Sequence, residues 1–203
     1  FDRNRCAIIL GNAMGGELRM ATSRRVYWPE SAAAVKRSPA FMTLPQEQRD
    51  AILAESETDF KSAFIPVTED TMPGSLSNVV AGRVANVFDL AGKNFTTDAA
   101  CASSLAALDA AVQALQRKEA DMVVWGGADR SMDVSSYIQF SKIGALSPDG
   151  SRPFDANANG FVMGEGAGIF LLKRLNDAER DGDRIYAVVR GVGSSSDGKG
   201  KGI

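Results

Sequence analysis

The chain has 203 residues, of which 44% are hydrophobic and 24% are charged, with a formal net charge of -2. These values are ordinary for a folded globular protein, so we expect a packed core and exclude wholesale disorder. The nearly balanced charge argues against a nucleic-acid partner, and no apolar run approaches the ~20 residues that a membrane span requires.

The first predicted elements are a buried strand and a polar, helix-forming region. The apolar run NRCAIIL, residues 4–10, ends at the glycine-rich GNAMGG and predicts the strand. Residues 17–63 are polar and contain several prolines, and here PQEQRDAILAE predicts a helix opened by Pro45. Apolar residues then recur at three- and four-residue spacing over residues 76–87, which predicts a helix that ends at Gly92.

The remainder alternates short strands with helices. Strands are predicted at KNFTT and ADMVVWGGAD, and a helix is predicted between them over residues 102–117. Its predicted apolar stripe consists of Leu105, Leu108, Val112 and Leu115. Another helix is predicted over residues 132–140. Two strand pieces interrupted by glycines are predicted in FVMGEGAGIFLLKRL, and a closing strand is predicted in DRIYAVVRGVG. This alternation predicts an α/β fold with a largely parallel, helix-covered sheet.

Cysteine and histidine usage narrows the chemistry. Two cysteines make no disulfide framework, which favours a reducing, cytoplasmic location. The chain contains no histidine, the usual base for a cysteine or serine nucleophile, and we predict no metal site. Because the chain also begins at Phe1 and ends in the Gly/Lys loop GKGKGI, we interpret it as an internal fragment of a longer protein.

Cys101 has two interpretations from the local sequence. It lies at a predicted strand-to-helix junction, where the positive end of the helix dipole stabilises a thiolate. Small neighbours in AACASS let the turn close tightly and let an acyl group approach, as a nucleophile requires. A small core cysteine is the equally ordinary alternative. For Cys6, in the middle of an apolar run, core packing is the better interpretation.

Several motifs in order resemble the β-ketoacyl synthase family. TTDAACASSLAAL is similar to its active-site cysteine motif, and FSKIGALSPDGSRPFDANANGFVMGEGAGIFLLKRL to the long signature that follows. The resemblance covers residues 72–198 well, residues 4–16 plausibly and residues 17–71 more weakly. Modular type I polyketide and polyunsaturated fatty acid synthases look most similar.

The resemblance implies an acyltransferase that performs a decarboxylative Claisen condensation, extending an acyl thioester by two carbons. It implies that Cys101 carries the acyl group, with its own N–H as one oxyanion donor. Phe140 falls where a family aromatic lines the acyl pocket, although a core phenylalanine is nearly as good an interpretation, and Glu165 is expected to be structural. The family's two histidines lie after the region present here, so we expect the chain alone to be inactive.

For the fold, the resemblance implies the layered α-β-α-β-α thiolase-like architecture, with residues 1–203 forming most of its first half, a partial ketosynthase domain. It also implies phosphopantetheine-linked acyl and malonyl substrates with no directly bound cofactor, an acyl carrier protein as partner, and a homodimer.

Two other functions are open. A non-catalytic, chain-length-determining partner would share the fold, but such partners typically lack the nucleophile. GVGSSSDGKGKG nearly matches a phosphate-binding loop, yet Gly200 replaces the Ser or Thr that would hold magnesium, which makes nucleotide binding much weaker as a hypothesis.

Overall fold

The computed structural model describes residues 1–13, 17–130, 132–196 and 198–199. The chain divides into two compact units. One consists of Phe1–Met14 and Ser77–Ile203, and the other consists of Gly15–Leu76.

The helices and strands follow one another along both units. In chain order the helices are α1 (Glu17–Val26), α2 (Trp28–Lys36), α3 (Pro39–Met42), α4 (Gln46–Ser62), α5 (Thr71–Gly74), α6 (Asn78–Phe88), α7 (Ser103–Gln116), α8 (Val134–Lys142) and α9 (Leu175–Asp181). The strands are β1 (Cys6–Gly11), β2 (Asn94–Thr97), β3 (Met122–Asp129) and β4 (Gly166–Lys173).

The four strands form one sheet in the order β2-β1-β3-β4. β1 is parallel to both β2 and β3, whereas β4 is antiparallel to β3. The predicted α/β class with a largely parallel sheet is therefore confirmed. The carboxyl ends of β1, β2 and β3 share one edge of the sheet, and the antiparallel direction brings the amino end of β4 to the same edge.

Strand β1 is the centre of the core, with all six residues buried. Its alternate side chains point to opposite faces, as in any strand. Ala7 and Ile9 pack with α7, while Cys6, Ile8 and Leu10 belong to a second cluster that includes residues of α6. Strand β1 is thus covered by a helix on each face, which explains why its sequence is an unbroken apolar run.

The stripe predicted to face the sheet from α7 is wrong in part. Its buried face is made mainly of alanines, Ala107, Ala111 and Ala114, together with Leu115. Leu105 is 61% exposed. Small residues occupy the contact because the helix approaches the strand backbone too closely for leucine side chains to fit between them.

The predicted end of α6 at Gly92 is also wrong. The helix ends at Phe88, and Asp89 follows in the left-handed conformation. Gly92 is needed for another reason, since a Cβ there would lie 2.2 Å from the Cys6 carbonyl oxygen. This glycine lets the chain pass against β1.

The last part of the first unit differs most from the sequence prediction. One strand, β4, takes the place of the two predicted pieces, and residues 183–196 form neither helix nor strand. A strand requires a neighbour to complete its hydrogen bonds, and the apolar Ile185, Val188 and Val189 are between 42% and 49% exposed. The closing strand predicted from DRIYAVVRGVG is therefore not formed.

The second unit is helical, and an aromatic contact joins two of its helices. Trp28 is buried at the start of α2, and its ring centroid lies 5.4 Å from that of Phe60 on α4. Phe60 in turn contacts Phe64 in an edge-on geometry. The helix predicted after Pro45 is confirmed, and it continues to Ser62.

Among the described residues, no helix combines the length and the apolar character needed to cross a bilayer.

Candidate active site

Cys101 lies at the apex of a tight turn between β2 and α7. Asp98 accepts a hydrogen bond at Oδ1 from the Ala100 N–H, at 2.9 Å, which folds the chain back immediately after the strand. Ala100 then takes a positive φ of 48°, a conformation that costs a non-glycine residue about 1–2 kcal/mol. Cys101 follows and is exposed. The turn therefore presents the thiol to solvent instead of packing it in the core.

Ser103 holds this turn from inside. Its Oγ accepts from the Ala99 N–H at 2.9 Å and donates to the Ala100 carbonyl at 2.6 Å. The Thr97 hydroxyl donates to the Ser103 carbonyl at 3.0 Å. From the sequence, Ser103 is only a small neighbour of Cys101, and these hydrogen bonds are not predicted. The available indication was a serine in the first turn of a helix, where hydroxyls commonly bond to nearby backbone.

Two glycines bring the first turn of α7 against the strand ends. A Cβ on Gly11 would lie 2.4 Å from both the Ser103 carbonyl carbon and the Ser104 nitrogen. A Cβ on Gly127 would lie 2.9 Å from the Ser104 Cβ. Both distances are too short for a real contact. The amino end of α7, and with it Cys101, can sit over the sheet edge only because these strand ends lack side chains.

Asn12 joins the three parallel strands beside the turn. Its N–H donates to the Thr97 carbonyl at 3.1 Å, and its Nδ2 donates to the Ala128 carbonyl at 2.9 Å. The ends of β1, β2 and β3 are thereby fixed relative to one another. No motif in the sequence predicts this role for Asn12.

A cleft of about 480 Å³ opens next to Cys101. It is lined by strand ends and by the cysteine turn: residues 11–13, 125–129, 166–168 and 170, and residues 100–101 and 103–105. This volume is within the range of roughly 300–1,000 Å³ that is usual for small-molecule sites. The cleft lies at the carboxyl edge of the parallel strands, where ligands of open α/β sheets generally bind.

An aromatic pair forms one side of the cleft. Trp125 on β3 is directly opposite Phe170 on β4, and the rings stack with centroids 5.0 Å apart at 26°. The indole Nε1–H of Trp125 donates to the Ser104 carbonyl at 2.7 Å. This bond connects the aromatic wall to the first turn of the helix that follows Cys101.

The other residues singled out from the sequence lie elsewhere. Phe140 is half-buried on α8, and its ring meets Phe161 edge-on with centroids 5.4 Å apart. It is not among the described residues that line the cleft. Glu165 accepts at Oε1 from the Met132 N–H at 3.1 Å, a contact that ties two segments of backbone together. Cys6 is 1% exposed, and burial raises the pKa of its thiol.

Two arginines share one carboxylate at the end of β3 that is farther from the cleft. Arg5 and Arg174 both donate to the Asp121 carboxylate, at 3.0 Å and 2.5 Å to Oδ1, and hold the pKa of that carboxyl well below its ordinary value. Arg174 also donates to the Leu115 and Ala120 carbonyls. This group clamps the amino end of β3 and is structural.

Solved structures share this architecture. The ketosynthase from module 6 of the bacillaene synthase of Bacillus subtilis 168 superimposes with a TM-score of 0.65 at 31% sequence identity, covering 98% of this chain and 27% of that chain. The protein is therefore an α/β protein of the thiolase-like, ketosynthase fold.

The family follows from a model of the β-ketoacyl synthase N-terminal domain, which matches residues 36–178. The chain belongs to this family, as its motifs indicated. The matched range begins within the segment where the sequence resemblance was weaker.

Among curated relatives, a polyunsaturated fatty acid synthase polypeptide of Thraustochytrium sp. is 46% identical over 145 residues, which are 71% of this chain and 5% of that protein. Probable polyketide synthase 1 of Dictyostelium discoideum is 42% identical over 133 residues, which are 65% of this chain and 4% of that protein. The chain thus spans only a small part of the large synthases that it matches.

Proposed function

We propose that this chain supplies the nucleophile-bearing half of a ketosynthase active site and that Cys101 is the residue that carries the acyl group. The observation that supports this most is the position of Cys101, which is exposed at a strained turn, immediately before a 14-residue helix, and lines a cleft. The domain would then be a partial ketosynthase domain over residues 1–203, consistent with the 27% share of the solved ketosynthase chain that it covers.

The first step is acyl transfer to the thiol. The Cys101 thiolate attacks the carbonyl carbon of an acyl thioester, a new C–S bond forms, and the C–S bond to the donor breaks so that the donor leaves as a thiolate. Negative charge collects on the carbonyl oxygen during attack, and a backbone N–H stabilises it. We assign the Cys101 N–H to this role, since the N–H groups of Ala100, Ala102 and Ser103 already donate within the turn.

The second step is decarboxylative condensation. A malonyl thioester loses carbon dioxide, and the electron pair of the broken C–C bond moves to the α-carbon. That carbon attacks the acyl group, the bond to Cys101 Sγ breaks, and a β-ketoacyl thioester two carbons longer leaves. Splitting the reaction through an acyl-enzyme replaces one difficult step with two easier ones. The two histidines that assist decarboxylation in this family would come from sequence outside these 203 residues.

The proposal includes the substrates and partners of the family. The acyl and malonyl groups would arrive on phosphopantetheine arms of an acyl carrier protein, and the working protein would be a cytoplasmic homodimer. Phe140 remains a prediction from the family resemblance, with a role in lining the acyl pocket.

The two rival functions gain no support. A chain-length-determining partner has no use for an exposed thiol at a strained helix-opening turn. The nucleotide-loop hypothesis needs a strand ahead of the loop and residues through Gly200, but residues 183–196 form no strand, and Asp197 and Gly200 are outside the described residues.

Mass spectrometry of the intact synthase that carries this chain tests the proposal. After incubation with an acyl thioester, the peptide containing Cys101 should gain the mass of the acyl group, and Cys101→Ala should abolish the modification. Cys6→Ala is the matched control, because Cys6 is buried, and it should still be acylated at Cys101. An unmodified Cys101 with label on another residue would overturn the assignment.

A further inference from the structure

The side chain of Asn12 connects two strand ends beside the cysteine turn. The parallel pairing of β1 with β3 ends at Gly11 and Gly127, which lie opposite each other. The residues that follow this pair are joined by a side chain, because Asn12 Nδ2 donates to the Ala128 carbonyl at 2.9 Å. This hydrogen bond extends the connection between the two strands one residue beyond their last backbone pair.

The two glycines of that last pair form the surface on which the first turn of α7 lies. Gly11 approaches the Ser103 backbone so closely that a Cβ would lie 2.4 Å from its carbonyl carbon, and Gly127 approaches the Ser104 Cβ in the same way. A change in the spacing of β1 and β3 at this point therefore moves the surface that supports the helix. Cys101 lies just ahead of Ser103 in the chain, so the position of its thiol depends on the same spacing.

The backbone of Asn12 reaches the cysteine turn through the other neighbouring strand. Its N–H donates to the Thr97 carbonyl at the end of β2, at 3.1 Å. The Thr97 hydroxyl in turn donates to the Ser103 carbonyl at 3.0 Å. Asn12 thus contacts both strands that flank β1, at the edge of the sheet where Cys101 lies.

The amide of Asn12 is oriented by its donor group. Its Oδ1 is buried and has no hydrogen-bond partner among the residues that the structure describes. A buried acceptor without a partner lowers the stability of the fold. This cost indicates that the side chain has a role beyond stability, and the hydrogen bond to Ala128 is the contact through which it can act.

We propose that Asn12 is a positioning residue that sets where the Cys101 thiol lies in the cleft. The proposal rests on the proposed function of Cys101 as the acyl carrier. Asn12 acts through the spacing of β1 and β3, which fixes the surface under the first turn of α7. Moving a reacting atom by about 1 Å can slow a reaction by about a hundredfold. Loss of the hydrogen bond to Ala128 should therefore slow acylation while the thiol stays exposed.

The test compares two reactions of the same thiol in the intact synthase. Asn12→Ala and Asn12→Leu both remove the donor to Ala128, and the leucine keeps the size of the side chain. The maximal rate of acylation by an acyl N-acetylcysteamine thioester, followed as mass gain on the Cys101 peptide, should fall by at least about tenfold in each. The half-saturating donor concentration and the rate of Cys101 alkylation by iodoacetamide should stay as in the wild type. The matched control is Asn94→Ala, which removes an exposed amide at the start of β2 and should leave acylation unchanged.

Cys6 shows whether β1 is still packed in the two variants. It is buried in that strand, so iodoacetamide should label it slowly as long as the strand keeps its place. If one variant exposes Cys6, the other decides the question alone. Rapid labelling of Cys6 in both would show that Asn12 holds the fold and not the thiol, and would overturn the proposal.

The remaining outcomes separate this role from the proposed function. Acylation at the wild-type rate in a variant that keeps Cys6 protected contradicts the positioning role of Asn12 and leaves the nucleophile assignment intact. An equal fall of acylation and of alkylation at Cys101 would also contradict it, because the thiol itself would then be altered. A wild-type protein that the thioester does not acylate contradicts the proposed function.

Discussion

The Ser103 Oγ accepts a hydrogen bond from the Ala99 N–H at 2.9 Å, across the turn that carries Cys101. The same oxygen donates to the Ala100 carbonyl, so one hydroxyl satisfies a donor and an acceptor of the turn. Ser103 itself is buried at 6% exposure. The strained conformation of Ala100 is thus supported by a side chain that follows the nucleophile in sequence.

Ser103→Ala should loosen this turn. Losing the hydroxyl removes two hydrogen bonds and should lower the free energy of unfolding by about 1 kcal/mol. The rate of Cys101 acylation should also fall, because it depends on the geometry of the turn. Denaturant unfolding and the acylation assay measure the two effects. The control for stability is Ser135→Ala, a half-buried position on α8 whose hydroxyl accepts a hydrogen bond from Gln139 Nε2. A turn variant with wild-type acylation would contradict the role given to Ser103.

Gly11→Ala should displace the amino end of α7. The added Cβ would lie 2.4 Å from the backbone of Ser103 and Ser104, so the helix must move or the strand must bend. Overpacking of this kind costs roughly 1–3 kcal/mol. We expect a lower unfolding midpoint and slow acylation of Cys101. Gly164→Ala is the matched control, since nothing lies within 4 Å of a Cβ built there. Equal stability of the two variants would contradict the close-approach argument.

How much of the fold could be predicted depends on whether a pattern is local. The buried run at β1 and the helix after Cys101 follow from periodicity, and both are present. The close approach of the amino end of α7 to the sheet depends on Gly11 and Gly127, which are far away in sequence, so a stripe predicted from large apolar residues is wrong in part. The predicted strand at residues 183–193 is missing for the opposite reason, because its pattern is suitable but no described strand pairs with it.

The same distinction between local and long-range features applies to the candidate site. The position of Cys101 at a turn that opens a helix could be predicted, because the motif and the helix that follows it are local features. The contact between Trp125 and Phe170 could not be predicted, since the two rings meet only through the antiparallel register of β3 and β4, which no short motif encodes. Phe140 was selected by family resemblance, and its contact in the structure is with Phe161.

The two thiols of the chain should differ sharply in reactivity. Cys101 is exposed, whereas Cys6 is buried and burial raises the pKa of its thiol, which lowers the fraction of reactive thiolate. A short pulse of iodoacetamide followed by peptide mapping should label Cys101 at least about tenfold faster than Cys6. In denaturant the two rates should converge. Rapid labelling of Cys6 in the native protein would contradict the packing of β1.

Asp121 should make stability depend on pH in acid. Its pKa is lowered in the folded protein by hydrogen bonds from Arg5 and then Arg174. A carboxyl with a depressed folded pKa stabilises the fold above its unfolded pKa, about 3.9, and this contribution is lost as the pH falls from there toward the folded value. Asp121→Asn should lower stability at pH 7 by roughly 1 kcal/mol, since the pair is partly exposed, and should flatten the decline below about pH 4. Denaturation series between neutral and acidic pH measure both effects. The control is Asp89→Asn, which removes an exposed partner of Arg3 and should leave the dependence of stability on pH as in the wild type. If stability in Asp121→Asn declined in acid as steeply as in the wild type, another group would be responsible.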